Sequence, residues 1–324
     1  KHDKERYEHK YEYCDLLITG SGPSGLASAY AAAKNGARVI LAEDKPRFGG
    51  SLLTSDVNIG NQTGVEWTEK IIAELKSMPN VTVKNRSQVF GYYDHNMLVM
   101  SERISDHLPK TQKYLPKQRL WYIRANEVLI SSGSIERPLV FGNNDTPGVM
   151  LSSAAKEYMK VYGVLVGKKP LIFTNNDSGY ETAIEFKKNG VNPIILDTRS
   201  NPSSDIITEA KNLNIEIRFS YVVVAAKGYK KVKSADIAKI SDDKKELFNI
   251  ENIECDCICV SGFWTPSIHL ASQSGNKSKF NEKIDAFVPD KSKQNENTIG
   301  SANGIFTLEE TIKDAFDKGF DVSN

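Results

Sequence analysis

One short segment constrains the fold more than any other part of the chain. The apolar run at residues 15–19 leads directly into GSGPSG (20–25), and an alanine-rich stretch follows as far as Gly36. A second apolar run, residues 37–43, comes next. A strand, a glycine turn, a helix and a strand within about 30 residues form the βαβ unit of dinucleotide-binding folds. The sequence therefore predicts a Rossmann-like domain at the start of the chain.

Each glycine of this loop has its own physical role in such a unit. Gly20 allows the tight turn, Gly22 lets a pyrophosphate approach the backbone, and Gly25 lets the helix pack closely on the strand. The free amides at the start of the helix favour the phosphate charge. Glu43 lies 23 residues after Gly20, where its carboxylate would accept hydrogen bonds from an adenosine ribose. Its charge would repel a 2′-phosphate, although two nearby basic residues weaken that discrimination.

A second cycle of the same pattern begins near residue 166, but its loop lacks the glycines. Aligning the strands places three other residues at the glycine positions, namely Asn175, Asp177 and Tyr180. A β-carbon at the middle position would block a pyrophosphate, and a carboxylate there would repel it. Asp197 follows Asn175 by 22 residues, so the ribose acid remains. We expect this second fold not to bind a dinucleotide in the ordinary way.

The order of strands and helices predicts an α/β fold with two Rossmann-like dinucleotide-binding domains of the glutathione-reductase type, the second inserted in the first. Residues 1–165 would form the first part of the first domain, 166–255 the inserted domain, and 256–324 the remainder of the first. Within the inserted domain, residues 221–255 alternate weakly and predict an antiparallel edge. Residues 273–297 are polar and rich in lysine, which predicts a surface loop.

Composition excludes several classes of partner. The 324 residues include 42 Lys and Arg against 41 Asp and Glu, a net charge of +1. A near-neutral chain offers no electrostatic case for nucleic acid or an anionic membrane as partner. No apolar run approaches the roughly 20 residues that span a bilayer. Four cysteines in a chain of this length do not make a disulfide scaffold, so we expect a reducing compartment and a cytoplasmic protein.

The cysteines do not form a recognisable reaction centre. Disulfide reductases of this general fold need a Cys pair separated by two or four intervening residues beside the flavin, whereas Cys14 stands alone. Cys255, Cys257 and Cys259 alternate along a predicted strand, so we expect all three on one face as small apolar side chains. Zinc would need a fourth ligand, which nothing nearby supplies. We predict no catalytic and no metal-binding residue.

Several further stretches resemble the α subunit of heterotetrameric sarcosine oxidase. The resemblance runs from about residue 7 to the end of the chain, and residues 137–150 are its most specific part. The GSGPSG loop, by contrast, is shared with many flavoproteins. The other matching stretches are YEHKY (7–11), GGSL (49–52), FGYYDHN (90–96), SSGSIERPLVF (131–141), NNDTPGVM (143–150) and TNNDS (174–178).

The resemblance implies an activity that spacing alone does not. The family oxidatively demethylates sarcosine, giving glycine, hydrogen peroxide and a one-carbon unit that passes to tetrahydrofolate. The matched region of its α subunit holds NAD⁺. FAD and the amine-oxidising site belong to the β subunit, and a covalent FMN lies at the boundary between α and β. The implied partners are the β, γ and δ subunits. The start at Lys1 without Met leads us to expect an excised piece, without a catalytic site of its own.

The motif and the resemblance differ over the nucleotide. The glycine loop in a two-domain chain predicts FAD in the first domain and NAD(P)H in the second. The resemblance implies NAD⁺ in the first domain and nothing in the second. The altered second loop favours NAD⁺, because a flavin reductase needs two nucleotide sites; FAD is the alternative. The competing functions are the α subunit of an opine, proline or glycine dehydrogenase, an FAD-dependent oxidoreductase, and a structural module stabilised by its nucleotide.

The predicted nucleotide site joins the glycine loop to small residues at other strand ends. Arg137 is included because it follows the carboxyl end of a strand, where ligands of such folds collect. The predicted residues are Gly20, Ser21, Gly22, Pro23, Ser24, Gly25, Glu43, Asp44, Gly50, Ser51, Val89, Ser132, Gly133, Arg137, Gly300 and Asn303.

Overall fold

The structure is a computed structural model that describes residues 5–109 and 114–322. Lys1, where the first predicted domain begins, and Asn324, where the last one ends, lie outside the described residues. The chain divides into two compact units, one made of Lys1–Ile135 with Thr265–Asn324 and the other of Glu136–Trp264. The second unit is thus inserted in the first. It begins about 30 residues before, and ends about nine residues after, the boundaries that the sequence predicts.

Strands and helices alternate through both units, and two 3₁₀ turns, Gly50–Leu53 and Gly300–Asn303, each begin at a glycine. The strands are β1 (Tyr7–Thr19), β2 (Val39–Ala42), β3 (Asn58–Ile59), β4 (Gln62–Thr63), β5 (Val81–Lys84), β6 (Ser87–Tyr93), β7 (Met97–Arg103), β8 (Gln118–Ile130), β9 (Ser134–Glu136), β10 (Val149–Leu151), β11 (Pro170–Thr174), β12 (Ile194–Asp197), β13 (Glu216–Phe219), β14 (Tyr221–Lys227), β15 (Ser234–Ile240), β16 (Leu247–Glu254), β17 (Cys257–Ser261), β18 (Trp264–Pro266), β19 (Ser278–Asn281), β20 (Ala286–Pro289) and β21 (Glu296–Thr298). The helices are α1 (Pro23–Lys34), α2 (Gly64–Ser77), α3 (Ser152–Tyr162), α4 (Ser178–Lys188), α5 (Asp205–Asn212), α6 (His269–Gln273) and α7 (Leu308–Asp321).

The first unit is built on one sheet in the order β5-β2-β1-β8-β7-β6, with β21 also beside β8. Strands β5, β2, β1, β8 and β21 are parallel, whereas β6 and β7 form an antiparallel meander. Both faces of the sheet are buried. Leu16 and Ile18 pack with α1 and α2 on one face, while Leu17 packs with the meander on the other. This alternation of side chains is what a central strand of an α/β sheet requires.

Strand β1 begins at Tyr7, eight residues before the apolar run at residue 15. Its first half alternates exposed aromatic side chains, such as Tyr11 and Tyr13, with charged ones. That period of two is typical of a strand. The whole of β1 pairs in parallel with β8, from Tyr7 opposite Gln118 to Thr19 opposite Ile130.

Residues 273–297 do not form the predicted surface loop. They contain the hairpin β19–β20 and the strand β21, whose Thr298 lies opposite Ile130 of β8. In β20, Ala286 and Val288 are buried on either side of the exposed Phe287, whose ring centre lies 5.3 Å from that of Phe280 in β19. The lysines of this segment are exposed. Their number obscured, in the sequence, the alternation of buried and exposed residues that is typical of a strand.

The second unit has a five-stranded parallel sheet in the order β10-β17-β11-β12-β13. Val149 of β10 pairs with Ile258 of β17, and α3 packs against α4. The unit therefore starts before residue 166 and continues past residue 255. Residues 221–255 form the predicted antiparallel edge, the sheet β14-β15-β16. The α/β fold with two Rossmann-like halves is confirmed.

The cysteines of the second unit do not all share one face. Cys257 and Cys259 pack with Ile172 in the core cluster beside α3 and α4. Cys255 packs instead with Phe173 in the cluster beside the antiparallel sheet, because the chain bends at residue 256 before β17 begins. Among the described residues, no helix is long and apolar enough to cross a membrane.

Candidate functional site

Two glycines of the first loop are required by backbone packing. Gly20 has φ = +107°, and a β-carbon there would lie 2.4 Å from the carbonyl oxygen of Ser131. A β-carbon on Gly25 would lie 1.9 Å from the carbonyl oxygen of Gly20. The Ser131 hydroxyl donates to that same oxygen at 2.8 Å. The loop thus brings α1 against β1 and β8 more closely than any larger side chain allows.

Gly22 differs from its two neighbours because the fold does not need it. It is the N-cap of α1 with φ = −66°, and a β-carbon there would meet no atom within 4 Å. The first turn of α1, with Pro23 at its start, has no side-chain cap at Gly22. Its backbone N–H groups are therefore available to an anion, and the helix dipole favours negative charge there. The space that a side chain would fill fits the approach of a pyrophosphate.

Glu43 braces the loop from the end of β2. It is 6% exposed, and its Oε2 accepts hydrogen bonds from the Ser21 N–H at 2.9 Å and the Ser21 hydroxyl at 2.5 Å. Its Oε1 accepts one from the Lys45 N–H at 2.9 Å. A carboxylate offers about four lone-pair positions, so Oε1 retains capacity for a further donor. A ribose hydroxyl is such a donor.

Burial raises the pKa of Glu43, and the adjacent Asp44 carboxyl raises it further, while the Ser21 and Lys45 donors oppose this shift. Burial likewise raises the pKa of Glu127 and Glu136. Because these carboxyls bind protons more readily in the folded chain than in the unfolded chain, folding becomes more favourable as the pH falls through their raised pKa values.

We expect opposite effects of mild acid on stability and on nucleotide binding. As the pH is lowered from neutrality toward the ordinary pKa of a glutamate, the free energy of unfolding of the nucleotide-free chain should rise. Nucleotide affinity should fall, because protonated Glu43 loses its charge and part of its acceptor capacity. Urea titrations and calorimetry over this range measure the two trends. Glu43→Gln is the control, since its affinity should be weak and independent of pH; an unchanged wild-type affinity would contradict the assignment.

Two distant turns lie against the glycine loop. Gly50 has φ = +54°, and a β-carbon there would lie 2.9 Å from the Cα of Gly22. Gly300 has φ = +64°, and its β-carbon would lie 2.7 Å from the Ser24 hydroxyl. The structure therefore brings Gly50 with Ser51, and Gly300 with Asn303, to the predicted site as the two 3₁₀ turns.

Ser132 and Gly133 follow β8 beside the second of these turns. The Ser132 hydroxyl donates to the Ser267 carbonyl at 2.7 Å, and the Ser267 N–H donates to the Gly133 carbonyl at 2.9 Å. A β-carbon on Gly133 would lie 3.9 Å from the Ser301 hydroxyl. Both predicted residues are thus held at the carboxyl edge of the sheet.

Two residues of the predicted site, Val89 and Arg137, lie outside the glycine loop and the two turns that pack against it. Val89 lies on β6, half-buried against the core cluster on the meander face of the sheet. Arg137 belongs to the second unit, where its N–H donates to the Phe263 carbonyl at 2.8 Å and its guanidinium lies 5.9 Å from the Phe263 ring centre. The loop contacts of Ser131 and Gly49 were missed. Their only signal was adjacency to predicted residues; the Gly49 N–H donates to the Ser21 carbonyl at 3.0 Å.

The altered loop of the second unit has a different arrangement. Asp177 is the N-cap of α4, the position that Gly22 holds in α1. Close packing of helix and strand falls to Gly179, where a β-carbon would lie 2.7 Å from the Cβ of Thr174. Asp197 is the last residue of β12 and is fully buried, whereas Glu43 follows the last residue of β2.

The chain is similar in sequence to a known family and to several proteins of known name. The family model described as pyridine nucleotide-disulphide oxidoreductase matches residues 14–297. Sarcosine oxidase subunit alpha of Rhizobium meliloti (strain 1021) is 37% identical over 287 residues, which cover 88% of this chain and 28% of that protein. The subunit of the same name from Corynebacterium sp. (strain P-1) is 33% identical over 94% of this chain and 32% of its own length. The chain thus spans about a third of these relatives.

A solved structure shares the fold at lower identity. Thioredoxin reductase of T. acidophilum superposes with a TM-score of 0.73 at 17% identity, covering 96% of this chain and 98% of that one.

Proposed function

The chain belongs to the pyridine nucleotide-disulphide oxidoreductase family, and we propose that it is the NAD⁺-binding region of a sarcosine oxidase α subunit. One observation carries the proposal: the phosphate loop of the first unit is open at Gly22, whereas Asp177 stands at the same place in the second. A flavoprotein that accepts electrons from a pyridine nucleotide needs two dinucleotide sites. Identity of 33–37% to two sarcosine oxidase α subunits supports the same assignment.

The residues of the first unit would hold NAD⁺ by its adenosine diphosphate half. Gly22 and the free N–H groups of α1 would bind the pyrophosphate, and Glu43 would accept from the adenosine ribose. NAD⁺ supplies hydride-accepting chemistry when it is redox active. This chain offers no acid, base or nucleophile to that chemistry in our proposal, so its role is to bind and orient the nucleotide.

The proposed complex provides the reaction. It would contain β, γ and δ subunits with FAD and FMN, and it would demethylate sarcosine to glycine with hydrogen peroxide and methylene-tetrahydrofolate as products. A cytoplasmic location is part of the proposal. The four cysteines support it, because all four are described, buried and unpaired with one another, as in proteins of reducing compartments.

The disulfide chemistry in the family name receives no support from these cysteines. Burial raises the pKa of Cys14 to about 12 and that of Cys255 to about 12. A thiol with so high a pKa forms little thiolate, which is the reactive form. Their environment therefore argues for packing rather than for thiol–disulfide exchange.

FAD is the alternative occupant of the first unit. FAD and NAD⁺ present the same adenosine diphosphate end, so Gly22 and Glu43 suit either one. An amine dehydrogenase α subunit acting on an opine, proline or glycine would share this body. The identity of 33–37% to two sarcosine oxidase α subunits favours the first proposal.

Release of the bound nucleotide tests the proposal. We expect the purified chain, denatured and analysed by mass spectrometry, to yield NAD⁺ in about equimolar amount and no flavin. The Gly22→Asp variant is the matched control and should yield neither. Recovery of FAD, with a flavin spectrum that NADH bleaches, would establish the alternative.

A further inference from the structure

We propose that Arg199 is a built-in occupant of the second Rossmann-like unit, bridging the two carboxylates that stand where a dinucleotide would bind. The inference concerns the second unit alone. It holds whether the first unit takes NAD⁺ or FAD.

Asp177 is diverted from the helix it begins. Its side chain makes no capping bond to α4 and instead accepts from the Arg199 Nη2 at 2.8 Å. The neighbouring Asn176 takes over part of the capping, because its Oδ1 accepts from the Ser178 N–H at 2.9 Å. An Asp at an N-cap ordinarily accepts from the helix itself. Here its carboxylate is turned to the arginine.

Asp197 has no capacity left for a ribose. Its Oδ1 accepts from the Arg199 N–H at 2.9 Å and from the Arg199 Nε at 3.1 Å. Its Oδ2 accepts from the Arg199 Nη2 at 2.8 Å and from the Tyr180 hydroxyl at 2.7 Å. Four donors fill the approximately four lone-pair positions of a carboxylate. Glu43 of the first unit, by contrast, accepts from three donors, two on Ser21 and one on Lys45, and none of them is a cationic group.

Tyr180 also binds the Asp177–Arg199–Asp197 group. Its side chain is fully buried between α4 and β12, at the place where the first unit has Gly25. Burial and the adjacent Asp197 raise the pKa of its hydroxyl, which therefore remains a donor. In the first unit Gly25 brings the helix and the strand close together at this position, so the second loop differs in shape as well as in charge.

The net charge of Asp177, Arg199 and Asp197 would repel a dinucleotide, which is a stronger effect than the loss of favourable contacts alone. Arg199 carries one positive charge between two carboxylates, which leaves the group with a net charge of −1. A diphosphate at the start of α4 would face Asp177 directly and would be repelled. The same ion network ties the end of β12 to the start of α4. The residues that exclude the nucleotide thus replace it as a structural link.

ADP-ribose is the probe for this proposal, because it carries the adenosine diphosphate half that NAD⁺ and FAD share. We expect nucleotide-free wild-type chain to bind one ADP-ribose in calorimetry; two per chain would overturn the proposal. In the Gly22→Asp background, the first site is disabled and any remaining binding reports the second unit. There, Asp177→Gly combined with Arg199→Ala should bind ADP-ribose at least tenfold more tightly than its parent. No gain over the parent in a folded variant would also overturn the proposal.

Stability provides the second readout. Arg199→Ala leaves a buried carboxylate without its cation and should lower the melting temperature by about 5 °C or more. Arg218→Ala is the matched control, because Arg218 also joins two carboxylates, but Glu216 and Glu251 are about half exposed, whereas Asp197 is fully buried. It should change the melting temperature by less than about 2 °C. Equal shifts in the two variants would contradict the role assigned to Arg199. Arg199→Lys keeps the charge without the planar fork and should fall between them.

Discussion

Replacing Gly22 by Asp is expected to weaken nucleotide binding by at least about 100-fold, or about 2.7 kcal/mol, while the chain stays folded. The new β-carbon would enter open space, and Asp is a favoured N-cap residue. Its carboxylate would stand where the pyrophosphate binds. Two unit charges about 4 Å apart repel by about 4 kcal/mol at an effective dielectric constant of 20. The substitution gives the first unit the residue that the second unit has at Asp177.

Two smaller substitutions at the same position separate charge from bulk. Gly22→Ala should weaken binding least, Gly22→Asn more, and Gly22→Asp most, because only Asp adds a negative charge to an isosteric side chain. Calorimetry with NAD⁺ gives the affinities, and thermal unfolding by circular dichroism verifies the fold. Equal affinities for the Asn and Asp variants would mean that no phosphate lies at Gly22.

Replacing Gly25 by Ala should lower the free energy of unfolding by about 3 kcal/mol or more. The added β-carbon would lie 1.9 Å from the Gly20 carbonyl oxygen, so helix α1 or the loop must move. The oxygen cannot retreat without cost, because it accepts from the Ser131 hydroxyl at 2.8 Å. The loop itself is therefore the site of the strain.

Urea unfolding of Gly25→Ala beside Gly22→Ala tests this expectation. The two substitutions add the same methyl group to the same loop, three residues apart, and neither glycine has the positive φ that disfavours a side chain. Gly22→Ala should change the free energy of unfolding by less than about 0.5 kcal/mol. A loss below about 1 kcal/mol for Gly25→Ala would show that α1 can shift freely, contrary to the packing described above.

The glycine loop was predictable because its requirements are local. Gly20, Gly22 and Gly25 lie within one turn and helix start, and Glu43 directly follows the next strand, so the spacing in the sequence alone predicted their arrangement. The approach of Gly300 to Ser24 depends on β21 joining the sheet. Lysine-rich composition hid that strand. We therefore predicted Gly300 as a site residue without predicting the strand that brings it to Ser24.

The sequence revealed the loss of glycines in the second unit but not what replaced their ligand. Arg199 lies 22 residues after Asp177, and nothing in that spacing indicates an ion pair. The two meet only because β12 lies parallel to β11, beside the start of α4. Burial of Asp197 then makes the pair necessary, since an isolated carboxylate in the core would be strongly destabilising. Burial of this kind is a property of the packed structure.

Strand β1 also determines how the glycine loop is located. It keeps one register with β8 along 13 residues, a length of about 43 Å at 3.3 Å per residue. A slip of one residue would turn Leu16 and Ile18 to the opposite face. The position of the glycine loop therefore depends on strand pairing at the far end of the sheet as well as on the loop's own contacts. Changes near Tyr7, remote from any nucleotide, would alter the site by shifting the position of the loop, without removing a group that binds the nucleotide.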